Sequence, residues 1–277
     1  MNKDKTLIVL KKAINKKKVW IKLKSPIWRV WWKSKLSKEI VSLFPEHKHY
    51  IEVFGWWLSI FFTKQKSQIE TINDINSDLI NFWEVIKNHP QTLSYYLNQM
   101  FISREIFNKI KTGKYIPSNK IERWAYFYYL ITQSFWSRWH NFAMSSKAGR
   151  KPKNIYKNFQ KWAERFKLVT IENMSFDELI KKYNNSSDTF FYLDPPYFNF
   201  EKVYKAEFKK EQHILLRDLL KNIKGKFLLS YNDCKEIRNL YKDFYIKSSK
   251  EINYTLWRNN NWETKKVKEL YISNYKI

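Results

Sequence analysis

Apolar positions along the chain follow two periods in turn. Between residues 33 and 44, Leu36, Ile40, Val41, Leu43 and Phe44 recur at helical spacing, and residues 49–54 follow as a short strand of the buried type. A turn and the apolar residues 60–62 lead to a second strand over 68–72, which ends in Asn73 and Asp74. Asn76 opens a helix to about Lys87, with Leu79, Ile80 and Val85 facing inward. Strand, turn, helix, strand, acidic residue and helix make the opening of a doubly wound α/β sheet.

From about His89 to Lys167 the pattern changes to helical segments rich in aromatic and basic residues, with no strand signal. The polar stretch 137–154, which contains Gly149 and Pro152, reads as a loop. The α/β rhythm then resumes with a strand over 167–172, a helix over 176–183, a strongly apolar strand over 189–193, a helix over 209–222, a strand over 226–230 and a closing strand over 269–273. The simplest account is an α/β, Rossmann-like sheet broken by a helical insertion. It divides the chain into a basic lead (1–24), one sheet domain (25–88 with 167–277) and the insertion (89–166). There is no internal repeat.

Charge adds a partner. The 277 residues carry 52 basic and 26 acidic side chains, a net +26, which suits a polyanion because neutralising phosphates releases counterions. Only nine of the basic residues are Arg, so an AT-rich coding bias toward Lys, Asn and Ile competes as the explanation. Cys234 stands alone, which excludes a disulfide scaffold and suits a reducing cytoplasm. No apolar run approaches the roughly 18 residues of a membrane span, and the Lys-rich lead lacks an apolar signal core. A soluble cytoplasmic protein, with no metal site and no membrane contact, is expected.

The strongest chemical signal is Asp194-Pro195-Pro196-Tyr197 after the apolar strand ending at Leu193. The position is the carboxyl edge of a sheet, where open α/β folds bind ligands. The prolines stiffen the turn and restrict the residue before each, holding the Asp194 carboxylate and the Pro195 carbonyl in place. Fixed acceptors beside an aromatic face suit a planar base with an exocyclic amino group. A plain turn with a capping Asp is the competing reading.

At this point the sequence resembles the Dam-like, D12 class of DNA N6-adenine methyltransferases, whose catalytic motif reads Asp-Pro-Pro-Tyr. The resemblance covers residues 25–275. Residues 25–33 (Ser-Pro-Ile-Trp-Arg-Val-Trp-Trp-Lys) are similar to the family's N-terminal cofactor motif, which ends Gly-Gly-Lys. Residues 50–62 resemble Glu-Pro-Phe followed by a glycine-rich turn, residues 73–79 the second acidic motif, and residues 227–233 and 269–275 the late strands. Five ordered blocks are far more specific than one tetrapeptide.

The resemblance implies S-adenosylmethionine as methyl donor and double-stranded DNA as substrate. It implies cofactor contacts at Arg29, Trp31, Trp32, Lys33, Glu52, Phe54, Gly55, Trp56, Asp74 and Asp194, with catalysis by Asp194, Pro195, Pro196 and Tyr197. Asp74 is also where nucleotide-binding α/β folds bond ribose hydroxyls. The insertion matches the family's target-recognition region. A monomer, with a cognate restriction endonuclease as functional partner, is expected. Two rivals remain: a methyltransferase acting on base amino groups of ribosomal RNA, and a catalytically inactive nucleic-acid-binding homologue.

Several positions depart from the family. Val53 replaces a common Pro, and Ser175 sits near an acid that contacts the cofactor adenine in many members. Trp31 and Trp32 occupy a Gly-Gly pair, and Trp56 and Trp57 fall in the glycine-rich turn. Only glycine takes positive φ freely and lets backbone approach a ligand, so indoles there should block the pocket. The chain has four Gly and 13 Trp, where typical usage near 7% gives about 19 Gly. Trp28, Trp136, Trp139, Trp257 and Trp262 also read as turn positions, whereas Trp83 fits a helix. The pattern implies a glycine codon translated as tryptophan, as when a reassigned stop codon is read under the wrong code.

Overall fold

The computed structural model describes residues 23–27, 33–134, 141–143, 155, 157–198, 208–258 and 264–277. Helix α1 (Lys33–Ser42) turns its apolar positions Leu36 and Ile40 into the core and leads into strand β1 (His49–Glu52). Helix α2 (Ser59–Thr63), strand β2 (Ile69–Asn73) and helix α3 (Ser77–Asn88) follow. Asn76 caps α3, its side chain accepting the backbone N–H groups of Asp78 and Leu79.

Four helices come next: α4 (Pro90–Gln99), α5 (Arg104–Lys111), α6 (Lys120–Thr132) and α7 (Gln160–Phe166). Strand β3 (Val169–Glu172), helix α8 (Phe176–Tyr183), strand β4 (Thr189–Leu193), helix α9 (Lys210–Lys221) and strand β5 (Lys226–Asn232) restore the alternation. The chain closes with α10 (Lys235–Leu240), β6 (Tyr245–Ser248), β7 (Ile252–Arg258), β8 (Thr264–Val267) and β9 (Glu269–Ser273).

Seven strands form one sheet in the order β3-β2-β1-β4-β5-β9-β6. The strands from β3 through β5 run parallel, with His49 facing Ile69 on one side and Thr189 on the other. β9 lies antiparallel between β5 and β6. The centre of the sheet is covered on both faces, which is why β4 reads as an unbroken apolar run, Thr-Phe-Phe-Tyr-Leu, buried at every position. From β1 the chain steps outward through β2 to β3, then returns to β4 on the other side of β1. That reversal opens a crevice beyond the carboxyl ends of β1 and β4.

The helices between α3 and β3 share the sheet's apolar core rather than hanging from it. Trp124 of α6 stacks on Phe82 of α3 with ring centroids 4.0 Å apart, and Phe166 of α7 stacks on Phe61 of α2 at 5.4 Å. A buried ionic cluster ties α7 to β2. The Arg165 guanidinium grips both oxygens of Glu70, the Nη2 contact being 2.9 Å, and Lys64 pairs with the same carboxylate.

The Rossmann-like α/β sheet with helices between β2 and β3 is the expected fold, and four details correct the reading of the pattern. β1 ends at Glu52, so Phe54 lies beyond the strand; residues 60–62 are helical; and the α10, β6, β7 and β8 elements were not foreseen. β7 takes in Trp257, which therefore occupies a strand and not a turn, in a stretch where the register with β8 shifts. Trp83, Trp124 and Trp162 are buried within helices, as core indoles are. No helix among the described residues is long and apolar enough to cross a membrane.

Candidate active site

The corner after β4 stands at the crevice. Leu193 is the last strand residue, and Asp194, Pro195, Pro196 and Tyr197 follow without regular structure. The prolines and Tyr197 are buried, while the Asp194 side chain keeps 22% exposure and lines a cavity with Lys33, Glu52, Phe54, Gly55 and Trp56. Two turns from different parts of the chain, after β1 and after β4, thus meet at one opening. Asp74, Pro196 and Tyr197 are not among the residues that line this cavity. Arg29, Trp31 and Trp32 lie outside the described residues, as do Trp28, Trp136, Trp139 and Trp262.

Lys33, at the start of α1, is the cation of the corner. Its Nζ lies 3.0 Å from Asp194 Oδ1 and 2.8 Å from Glu269 Oε2, and it also contacts Ser230 Oγ. Burial pulls the Lys33 ammonium down, but the two carboxylates outweigh it and hold the group above its ordinary value. Burial raises both Asp194 and Glu269, against the opposing pull of Lys33. One buried ammonium therefore serves two carboxylates, and removing it would strand both.

Glu52, at the end of β1, is buried and accepts the Tyr50 hydroxyl at 2.7 Å. Burial pushes its carboxyl up to about 8, against the Tyr50 hydrogen bond and the Lys64 charge, and so favours the neutral acid.

The turn after β1 passes close under β2. Gly55 N–H donates to the Asn73 carbonyl at 2.6 Å, and a Cβ on Gly55 would meet that carbonyl oxygen at 2.8 Å, so no larger residue fits without a shift. Trp56 follows with φ of 36° and Leu58 with φ of 51°, the left-handed region that costs a bulky residue of order 1–3 kcal/mol. Asp74 accepts the backbone N–H of Trp56 at 2.9 Å through one oxygen and that of Asn76 at 2.9 Å through the other. Since Asn76 is the cap of α3, Asp74 is left to hold the turn against the helix. Burial raises its carboxyl, which those two N–H groups oppose.

Asn73 was not singled out by the sequence and fixes this region further. Its side chain donates to the Val53 and Met174 carbonyls and accepts the Met174 N–H, each at 3.0 Å. Ser175, next in line, caps α8 in a reciprocal box with Glu178.

The carboxylates of the crevice suit a nucleoside-bearing cation, Asp194 on the cavity wall with a partly exposed side chain and Asp74 bonded to the turn at Trp56, while Gly55 packs against the Asn73 carbonyl. The volume does not match while the indoles are present. The cavity bordered by Trp56 and Trp57 measures about 40 Å³, whereas pockets for ligands of that size run to roughly 300–1,000 Å³. Trp56 takes a φ usual for glycine and lines this cavity together with Trp57.

Comparison with known proteins agrees with this geometry. The family model described as D12 class N6 adenine-specific DNA methyltransferase matches residues 32–270. The type II methyltransferase M1.LlaDCHI of Lactococcus lactis subsp. cremoris is 28% identical over 270 residues, covering 88% of this chain and 92% of its own. The type II methyltransferase M.CviBI of Paramecium bursaria Chlorella virus NC1A is 26% identical over 217 residues, covering 74% and 80%. A DNA adenine methylase of Vibrio cholerae serotype O1 is 24% identical over 246 residues, covering 82% and 87%.

Proposed function

The chain belongs to the D12 class of N6 adenine-specific DNA methyltransferases, and from that premise we propose that Asp194 and the Pro195 carbonyl grip the amino group of an adenine turned out of double-stranded DNA. S-adenosylmethionine is the methyl donor in this proposal, and when bound it supplies a methyl group already activated by its sulfonium. Asp74 and the turn at Gly55 and Trp56 hold its adenosyl and methionine ends, with glycine at 31, 32, 56 and 57 in the functional chain.

The obstacle to transfer is the amine, whose lone pair is delocalised into the purine ring. Two fixed acceptors on its two N–H bonds favour a more tetrahedral nitrogen and aim its lone pair, and Tyr197 stacks on the base. Orientation and electrostatics supply most of the acceleration. Extruding the base costs a few kcal/mol, offset by stacking and backbone contacts. The observation that carries this reading is the meeting of the Asp194 corner with the post-β1 turn at one cavity. Asp194→Ala, assayed for both methyl transfer and DNA binding, tests it.

The helices over 89–166 serve target recognition in this account. Tyr95 on α4 and the connecting residues Phe101, Tyr115 and Ile116 are exposed, in a stretch that also carries Lys109, Lys114 and Lys120, a mixture suited to phosphate contact and to wedging at a base step. The enzyme acts as a cytoplasmic monomer, and a restriction endonuclease of the same specificity is its functional counterpart.

A further inference from the structure

Glu269 opens β9, two strands away from the Asp194 corner, and is 1% exposed. A buried carboxylate costs several kcal/mol unless its oxygens are well used. Here both are. Oε1 accepts the Tyr197 hydroxyl at 2.9 Å, and Oε2 takes the Lys33 ammonium at 2.8 Å and the Ser230 hydroxyl at 3.3 Å. The backbone is pinned as well: Glu269 N–H donates to Ser249 Oγ at 2.9 Å, and its carbonyl accepts Ser249 N–H at 2.8 Å.

We infer that Glu269 is a positioning residue for methyl transfer, acting through Tyr197 and Lys33. Lys33 Nζ lies 5.4 Å from the Tyr197 ring centroid, so the carboxylate holds the ring at its hydroxyl while the ammonium it retains lies against the ring. A tyrosine fixed at its hydroxyl cannot swing about its Cα–Cβ bond, so the ring's position is set before the base arrives. The same carboxylate shares Lys33 with Asp194 Oδ1, so one side chain touches both the partner of the acid and the stacking ring. This inference rests on the roles assigned above to Asp194 and Tyr197. Apolar packing would hold a strand end at lower cost, and an ion pair alone would need no hydroxyl partner.

The test has an activity-free arm and a turnover arm, both on the full-length chain. A hydroxyl proton held on a buried carboxylate exchanges slowly, so Tyr197 should give a downfield proton resonance in NMR, assigned by its loss in Tyr197→Phe. Glu269→Ala is expected to remove it, and its persistence there overturns the contact. Glu269→Gln leaves one oxygen for three donors without opening a void. In chains carrying Trp31→Gly, Trp32→Gly, Trp56→Gly and Trp57→Gly, Glu269→Gln is expected to lower kcat for methylation of unmodified DNA about tenfold, with KM for DNA within about twofold. Combined with Tyr197→Phe it should be no slower than the worse single variant. An unchanged kcat, or losses that multiply, overturns the positioning role. Retained activity in Asp194→Ala would instead overturn the reading of the site on which it rests.

Discussion

The Lys33 ammonium lies 3.0 Å from Oδ1 of Asp194, joining the first turn of α1 to the end of β4. This contact brings a residue near the start of the chain to the corner after β4, where the same ammonium also meets the buried Glu269.

Removing that cation should cost more than a surface pair would. Lys33→Met leaves Asp194 and Glu269 buried without a counter-charge, and is expected to destabilise the fold by about 3–5 kcal/mol near neutral pH. The loss should shrink as pH falls, because burial raises both carboxyls and favours their neutral forms, and urea denaturation at neutral and at acidic pH checks it.

Glu52 makes the pH dependence of stability measurable at one residue. Its folded value of about 8 lies above its ordinary value of 4.5, so the fold favours the neutral acid. The corresponding stability is fully present below the ordinary value and is lost as pH rises toward about 8. Glu52→Gln should resemble the parent at pH 4 and exceed it by on the order of a few kcal/mol at pH 9.

The clamp between the insertion and the sheet should be equally sensitive. Glu70→Ala strands the Lys64 and Arg165 cations, which are 2% and 6% exposed, and is expected to cost about 3–5 kcal/mol. Urea denaturation against the parent chain measures it, and a loss below about 1 kcal/mol, as for a surface pair, would contradict the clamp.

The indoles at the cavity give a gain-of-function prediction. The chain as written should not bind S-adenosylmethionine in a calorimetric titration, and replacing Trp31, Trp32, Trp56 and Trp57 by glycine should restore binding. The peptide mass of the natural product should correspond to glycine at these positions. Tryptophan there in the natural protein would contradict the misread codon.

What the sequence made legible was whatever it specifies locally. The strands over 189–193 and 269–273 and the helix over 176–183 are placed to the residue, because an unbroken apolar run and a Ser175–Glu178 capping box mark their own limits. β6 and β8 escaped notice because four-residue strands with Lys at their centre, the first largely exposed, carry little apolar alternation, whereas β7 alternates Ile252, Tyr254 and Leu256 with polar residues only until Trp257 breaks the pattern. Asp194 was legible as chemistry because four adjacent residues define the corner. Glu269 was visible only as part of a strand, since its bond to Tyr197 depends on β9 inserting antiparallel beside β5, which no local pattern encodes. Asn73 was likewise hidden, its role lying entirely in contacts across strands.

The most direct test of the account is tritium transfer from S-adenosylmethionine to unmodified DNA by the glycine-bearing chain with and without Asp194→Ala, alongside DNA binding by both. The account predicts that Asp194→Ala lowers transfer at least about 1,000-fold while DNA binding stays within about twofold, since the lost interactions are made with the reacting amine and not with the duplex. Substantial residual transfer by the alanine variant would contradict it.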